Sequence, residues 1–460
     1  MIHSQAPSRT TFICLTAALG GLLFGFDTAV ISGTISFVKT QYVLNASQEG
    51  WFVSSGLLGC IAGVVLTGFL SDRLGRKKVM ILSGAMFLLS GIGCAFANGF
   101  DLLVSARLIG GIGVGMASVI CPMYIAEFAP ATSRGKMIAY YQLAITVGIL
   151  LAYFSNALLL QLTENNFQNS FLQWFFQKEI WRPMFFVMSI PSAFFIAMLI
   201  RIPESPRWLF SKNEKEKAEE ILQRTIGSNA ATKELDAMHT ASINHSAGGL
   251  KLFGKSMRLP LLIGITLAIL QQFCGINAII YYGPGIFESA GIAKGNAFLF
   301  QVIIGTINLL FTFVAIRNAD KYGRRFLLLA GLSGIVLSLV LCGFLFYNGN
   351  SGSILLLCMI VLFIACFALS LGPVTWIIIS EIFPTEVRSK AVAICTFSLW
   401  SAVWIVGQFF PWLLEKAGPA LTFWAFAFFS LINFFFSWLV VKETKNKTLE
   451  EMEQVFTSPH

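Results

Sequence analysis

The chain has 460 residues, of which 56% are hydrophobic and only 12% charged, and its mean hydropathy is +0.74. A soluble domain dresses its surface with roughly a quarter of its residues charged, so this composition excludes one and specifies an integral membrane protein. The net charge of +9 is dispersed over short loops between apolar runs, which suits the anionic inner surface of a bilayer and excludes nucleic acid as a partner.

Apolar stretches of about twenty residues, long enough to cross a bilayer as helices, fall near 12–37, 50–70, 78–97, 101–125, 136–160, 182–202, 259–288, 297–317, 326–347, 353–378, 390–414 and 420–441. Barrel strands would be about half as long and would alternate, so the fold class is all-α with twelve transmembrane helices. The first apolar run exceeds the core of a cleavable signal and is read as the first span. Loops after the even-numbered spans carry Arg73, Arg76, Lys77, Lys78, Arg134, Lys136, Arg207, Lys321, Arg324, Arg325, Arg388 and Lys390. The alternate loops hold only Lys39, Lys178, Lys294 and Lys416. Positive-inside bias therefore expects a multi-pass cell-membrane protein with both termini cytoplasmic.

In the first span Asp27 stands inside a continuous apolar run, where a charge costs at least about 2.5 to 3.5 kcal/mol and demands a partner or a purpose. After the second span comes a cassette of Asp72, Arg73, Leu74, Gly75, Arg76 and Lys77: a carboxylate, a tight turn and a cationic cluster. The fourth span contains Arg107, the evident partner for Asp27. Counting about 1.5 Å per residue puts both side chains at a similar depth, and Gly110, Gly111, Gly113 and Gly115 let that helix approach its neighbours closely. The loop after it carries Glu127, Pro130, Arg134 and Lys136, and the fifth span carries Gln142.

From Pro203 the chain turns hydrophilic, and Lys212, Glu214, Lys215, Glu216, Lys217, Glu219 and Glu220 lead into Ile221 and Leu222 at helical spacing. Short amphipathic helices are expected in this connector. The implied organisation is a first six-helix half at 1–202, a cytoplasmic helical linker at 203–257, a second six-helix half at 258–441 and a tail at 442–460.

The seventh span holds Gln271, Gln272, Asn277, Tyr281 and Tyr282, too many amides and phenols for a lipid-facing helix, while Gly275, Gly283, Pro284 and Gly285 permit bending. Amides both donate and accept, which fits a neutral polyhydroxylated solute better than an ion. Asn308, Trp376 and Trp400 in spans eight, ten and eleven offer further polar grip and an aromatic platform. The two loop signatures then return in order: Asp320, Gly323, Arg324 and Arg325, followed by Glu381, Pro384, Arg388 and Lys390. Such recurrence marks two copies of one unit, and duplicated membrane halves point to transport.

All four histidines lie outside the predicted spans, so Asp27 is the candidate for carrying a proton as its contact with Arg107 loosens. Its counterpart in the second copy is Asn277, a neutral amide. The loop cassettes, with Asp72, Arg76, Glu127 and Arg134 in one half and Asp320, Arg324, Glu381 and Arg388 in the other, are expected to form an ion-pair latch at the inner face that separates as that face opens. The nine cysteines sit in apolar runs without a CxxC pair and read as core residues. No metal-spaced cluster, phosphate loop or nucleophile constellation points to an enzyme, and no cofactor or metal is expected.

Over nearly its whole length the chain resembles the sugar porter family of the major facilitator superfamily. The resemblance rests on Gly75 and Arg76, Arg107 to Gly115, Pro122 to Glu127, Pro203 to Arg207, Gln271 to Tyr282, Gly372 to Pro373 before Trp376, and Glu381 to Pro384. It implies that Gln142, Gln271, Gln272, Asn277, Asn308 and Trp376 contact a monosaccharide in a central cavity, to which the residue reading adds Tyr282 and Trp400. It also implies that Asp27 and Arg107 act as the proton-coupling pair of bacterial xylose and proton symporters, the chain working as a monomer. Where the family commonly places Gln or Asn before Trp400 this chain has Leu399, and its terminal motif reads Lys442, Glu443, Thr444, Lys445 without the usual proline, a change expected to matter little. The alternatives are a facilitative sugar uniporter, a polyol transporter, a drug efflux carrier and a sugar sensor.

Overall fold

The computed structural model describes residues 6–129, 134–164, 167–244, 252–254, 257–289, 291–350 and 352–445. Among them the chain is helical throughout, with no strand. Spans one to five are the helices Ala6–Tyr42, Ala46–Leu74, Arg76–Ala95, Phe100–Phe128 and Arg134–Leu162. Span six runs through Trp181–Phe186 and Ser189–Ile200. Three short helices, Pro206–Ser211, Lys215–Ile226 and Ser228–Asn244, form the connector. Spans eight and nine are Lys294–Tyr322 and Arg324–Tyr347. The last continuous stretch, Thr385–Leu439, is two spans, because Gly418 at φ 77° breaks it. All twelve expected spans are therefore present, within a few residues of their expected limits.

Span six keeps helical dihedrals through Val187 and Met188, whereas spans seven and ten are broken at a non-helical residue, one in the place the glycines suggested. Span seven is Arg258–Phe273 followed by Ile276–Ser289, turned by Gly275 at φ 86°. Span ten is Ile354–Leu369 followed by Leu371–Glu381, with Ser370 at φ −126°, ψ −88° between them. Broken backbone inside a bilayer must find partners within the protein. Pro284 has no N–H for the carbonyl of Ile280, and that carbonyl accepts from the Tyr153 hydroxyl at 3.1 Å and from Gln301 Nε2 at 3.0 Å.

Within each half the helices approach closely wherever glycine removes the side chain. A Cβ on Gly111 would lie 1.8 Å from the Gly56 carbonyl oxygen, and one on Gly25 1.9 Å from that of Ile145. Lipid offers helices no hydrophobic reason to associate, so this backbone-to-backbone packing supplies the attraction. The connector docks on the first half: Thr10 at the start of span one donates to the Thr225 carbonyl at 3.0 Å.

The two halves meet on the face opposite the basic loops. Ser54 of span two donates to Gln408 Oε1 of span eleven at 2.6 Å, Gln408 Nε2 returns to the Ser47 carbonyl at 3.2 Å, and Gly50 lies directly against the Gln408 backbone. Tyr153, reaching span seven, makes a second link. That face is closed in this structure.

Candidate functional site

Asp27 and Arg107 meet as the helix count implied. Arg107 Nη1 donates to Asp27 Oδ1 at 3.1 Å, and both residues are 3% exposed. The Cα of Gly56 and that of Gly110 border the pair, because a Cβ on Gly56 would fall 2.9 Å from Arg107 Nη2 and one on Gly110 3.5 Å from Asp27 Oδ1. The guanidinium also lies 5.6 Å from the Phe185 ring centre. Arg107 Nε has no hydrogen-bond partner among the described residues, so the guanidinium is held by one carboxylate contact and retains the capacity for others. A cavity of about one water's size opens on the pair and is lined also by Thr28, Cys60, Tyr281 and Trp400. The Trp400 ring packs 5.4 Å from Phe24 of span one, so the aromatic platform of the second half reaches the ion pair of the first.

The amides of span seven form a relay across its break. Asn277 Nδ2 donates to Gln272 Oε1 at 2.6 Å, Gln272 Nε2 to Gln271 Oε1 at 3.0 Å, and Gln271 Nε2 to the Leu371 carbonyl at 2.5 Å. Gln271 and Gln272 are 2% and 5% exposed, while Asn277 is half-buried and presents the accessible end. The relay links the turn at Gly275 to the turn at Ser370, so the two broken helices share one polar system. Gln142 and Trp376 are half-buried and Asn308 is buried at 8% exposure. Leu399 is buried beside Trp400 and offers no polar atom in its side chain.

Tyr282 is bonded inside the protein. Its hydroxyl donates to the Gly407 carbonyl at 2.8 Å, and the residue is 6% exposed, its ring tilted against that of Phe410. Pro411 leaves that carbonyl without its helical N–H, so Tyr282 spends its proton on the backbone of span eleven, while its hydroxyl oxygen keeps the capacity to accept. Its neighbour Tyr281 is the phenol that lines the cavity.

At the basic face the ion pairs form, but each lies inside one half. Arg76 Nη2 is 3.0 Å from Glu127 Oε1, and Arg324 Nη2 is 3.0 Å from Glu381 Oε1. Asp72, largely exposed, stands 3.5 Å from Arg76, and Arg388 Nε donates to the Phe383 carbonyl at 3.1 Å. The side chains of Arg134 and Asp320 lie outside the described residues. These pairs are intact in an arrangement closed on the opposite face, and each is internal to one half.

Residue-type reasoning missed the centre of each cluster. Glu204 accepts from the backbone N–H groups of Arg76 at 2.9 Å and Lys77 at 3.0 Å, capping span three, and the Ser205 hydroxyl donates to Glu127. In the second half Glu443 accepts from the N–H groups of Arg324 at 2.9 Å and Arg325 at 3.0 Å, capping span nine, and the Thr444 hydroxyl donates to Glu381 at 2.5 Å. Gly75 at φ 93° and Gly323 at φ 90° permit the approach, since a Cβ on either would meet the capping carboxylate. The signal was present as a third repeated pair, Glu204 with Ser205 and Glu443 with Thr444. The missing proline before Glu443 does not disturb the cap.

Burial pushes the Glu443 carboxyl up, but N–H donation from Lys445, Arg324, Arg325 and Thr444 outweighs it and holds the group below the usual glutamate range. A depressed folded value stabilises above the unfolded value of about 4.3 and ceases to do so as pH falls through the folded one. Glu443→Gln is therefore expected to lower the melting temperature of the detergent-solubilised protein by a few degrees at neutral pH, a loss of about 1 kcal/mol after solvent screening. Thermal unfolding at neutral pH and below about pH 4 checks this: the gap between variant and wild type closes in acid.

Twelve spans in two like halves, with a buried ion pair facing Tyr281 and Trp400 of the second half and an amide relay joining two broken helices, define a membrane transporter of the major facilitator type. The family described as Sugar (and other) transporter matches residues 13–456, and the chain belongs to it. It is 40% identical over 455 residues to the arabinose-proton symporter of Bacillus subtilis, covering 99% of this chain and 96% of that one. It is 38% identical over 490 residues to the D-xylose-proton symporter of Escherichia coli, covering 99% and 97%. Among solved structures, the partially occluded inward-open conformation of the E. coli xylose transporter superimposes with a TM-score of 0.84 at 35% identity, covering 96% of this chain and all of the other. The proton:xylose symporter bound to 6-bromo-6-deoxy-D-glucose gives 0.82 at 37% identity, covering 98% and 100%.

Proposed function

We propose that this chain is a proton-coupled symporter that carries a neutral monosaccharide, a pentose or hexose, into the cell by alternating access. The observation that carries the reading is the Asp27–Arg107 pair, 3.1 Å apart and lining one cavity with Tyr281 and Trp400. A carboxylate this deep in oil is retained only if it is paired or if it works, and its single-contact guanidinium partner can move away from it. In the proposed cycle Asp27 binds a proton while the site faces outward, and sugar is held by Gln142, Gln271, Gln272, Asn277, Asn308, Trp376 and Trp400. The halves then rock, and proton and sugar leave inside. The basic face is assigned to the cytoplasm with both termini, which makes the closed face the extracellular one and the conformation inward-facing. The halves are assigned to 1–202 and 258–441, with the connector at 203–257 and the tail at 442–460. The intra-half clusters of Arg76 with Glu127 and Arg324 with Glu381 stiffen the cytoplasmic end of each bundle, and one chain suffices for transport.

Uptake of a panel of radiolabelled pentoses, hexoses and polyols into proteoliposomes, with and without an imposed pH gradient, tests the assignment. Accumulation of a monosaccharide above its external concentration only when the outside is acidic is expected. Equilibration without accumulation would make the protein a uniporter, and stimulation by lipophilic compounds without sugar uptake would reject the substrate class.

A further inference from the structure

Serine and threonine hydroxyls inside the spans regularly donate to the carbonyl one turn earlier, as they must where no water is at hand. Thr28 bonds the Phe24 carbonyl at 2.8 Å, Thr67 that of Gly63 at 2.7 Å, Thr306 that of Val302 at 2.9 Å and Thr396 that of Val392 at 2.8 Å. Among the described residues three buried hydroxyls break the pattern, those of Thr16, Ser189 and Thr375, and of these it is Thr375 that stands one turn from the carbonyl holding the Gln271 amide. It sits in the second segment of broken span ten, fully buried, and its hydroxyl has no hydrogen-bond partner among the described residues. The carbonyl one turn earlier belongs to Leu371, also fully buried, and it already accepts from Gln271 Nε2 at 2.5 Å. A carbonyl has two lone pairs: the helix uses one, so the Gln271 amide and the Thr375 hydroxyl compete for the other.

We propose that Thr375 is a positioning residue for substrate binding: when the Gln271 amide turns to a sugar hydroxyl, the Thr375 hydroxyl takes over the Leu371 carbonyl. The inference rests on the reading that sugar is held at Gln271. Without such a replacement, each binding event would leave the second lone pair of a buried carbonyl beside the hinge at Ser370 empty, and the sugar would bear the cost of the lost bond. With it, the bond count at the hinge is the same before and after binding, and the exchange moves a hydrogen bond from between spans seven and ten to within span ten. Substrate capture then loosens the tie between the two broken helices, whose relative movement a rocking transporter requires.

Equilibrium binding of radiolabelled D-xylose, L-arabinose and D-glucose to the purified protein tests this in wild type, Thr375→Val, Thr375→Ser, Gln271→Ala and the double variant Gln271→Ala/Thr375→Val. Thr375→Val is expected to weaken sugar binding about tenfold, equivalent to about 1.4 kcal/mol, while Thr375→Ser stays within about twofold of wild type because it restores a donor. Since the hydroxyl is idle in the sugar-free state, Thr375→Val should leave the sugar-free melting temperature unchanged or raised, which a structural hydroxyl would not do. In the Gln271→Ala background the valine should cost no additional affinity. Wild-type affinity in Gln271→Ala, or no binding of any of the three sugars to wild type, overturns the site reading itself. Weakened Gln271→Ala beside an unaffected Thr375→Val, or a Thr375→Val protein that melts lower without sugar, overturns the role given to Thr375 alone.

Discussion

Asp27→Asn is expected to bind sugar and exchange it across the membrane while losing all accumulation driven by a pH gradient. The amide keeps the shape and the hydrogen-bonding oxygen that Arg107 addresses at 3.1 Å, but it cannot take up or release a proton. If Asp27 is the coupling group, every cycle of the variant runs as though permanently loaded. Sugar then equilibrates and the gradient does no work. The measurement is sugar-driven alkalinisation of the medium outside proteoliposomes, with counterflow of labelled sugar as the control for folding and access. Equal proton movement in wild type and variant, or none in wild type, would sink coupling at this residue.

The second large effect concerns the partner. Arg107→Met is expected to destabilise the protein by about 3 to 5 kcal/mol, because it removes one member of a buried pair and strands the other. Nothing else described bonds the Asp27 carboxylate, and the neighbouring Gly56 and Gly110 offer no side chain to replace the guanidinium. Replacing both members by apolar groups removes the stranded charge, and such exchanges are often neutral or stabilising. The double variant Asp27→Leu/Arg107→Met should therefore recover most of the lost melting temperature while remaining uncoupled. Thermal unfolding in detergent separates the two cases, and a double variant that melts no higher than Arg107→Met would show that Arg107 stabilises through packing and not through charge pairing.

Much of this was readable from the order of residues. The spans, the duplication, the connector and the bend of span seven follow from local composition: apolar length, cation placement, a run of lysine and glutamate, and a glycine inside an amide-rich helix. The Asp27–Arg107 contact was also accessible, because helix rise and alternating span direction place two charges at one depth and lipid leaves them few other partners. The reading stopped where a bond depended on backbone made available elsewhere. That the Tyr282 hydroxyl donates to the Gly407 carbonyl depends on Pro411, in another span, leaving that carbonyl open for it. Glu204 and Glu443 looked like members of polar loops, whereas their carboxylates cap the first turns of spans three and nine.

The sequence by itself determined that the chain crosses a bilayer twelve times as two related halves and that it keeps a carboxylate in the oil, since hydropathy, charge and repetition are properties of the residues taken in order. Only the tertiary structure decided which polar groups remain free to meet a substrate. That depends on which carbonyls proline, glycine and helix breaks leave unsatisfied, and on which side chain from a distant span happens to stand within about 3 Å of them.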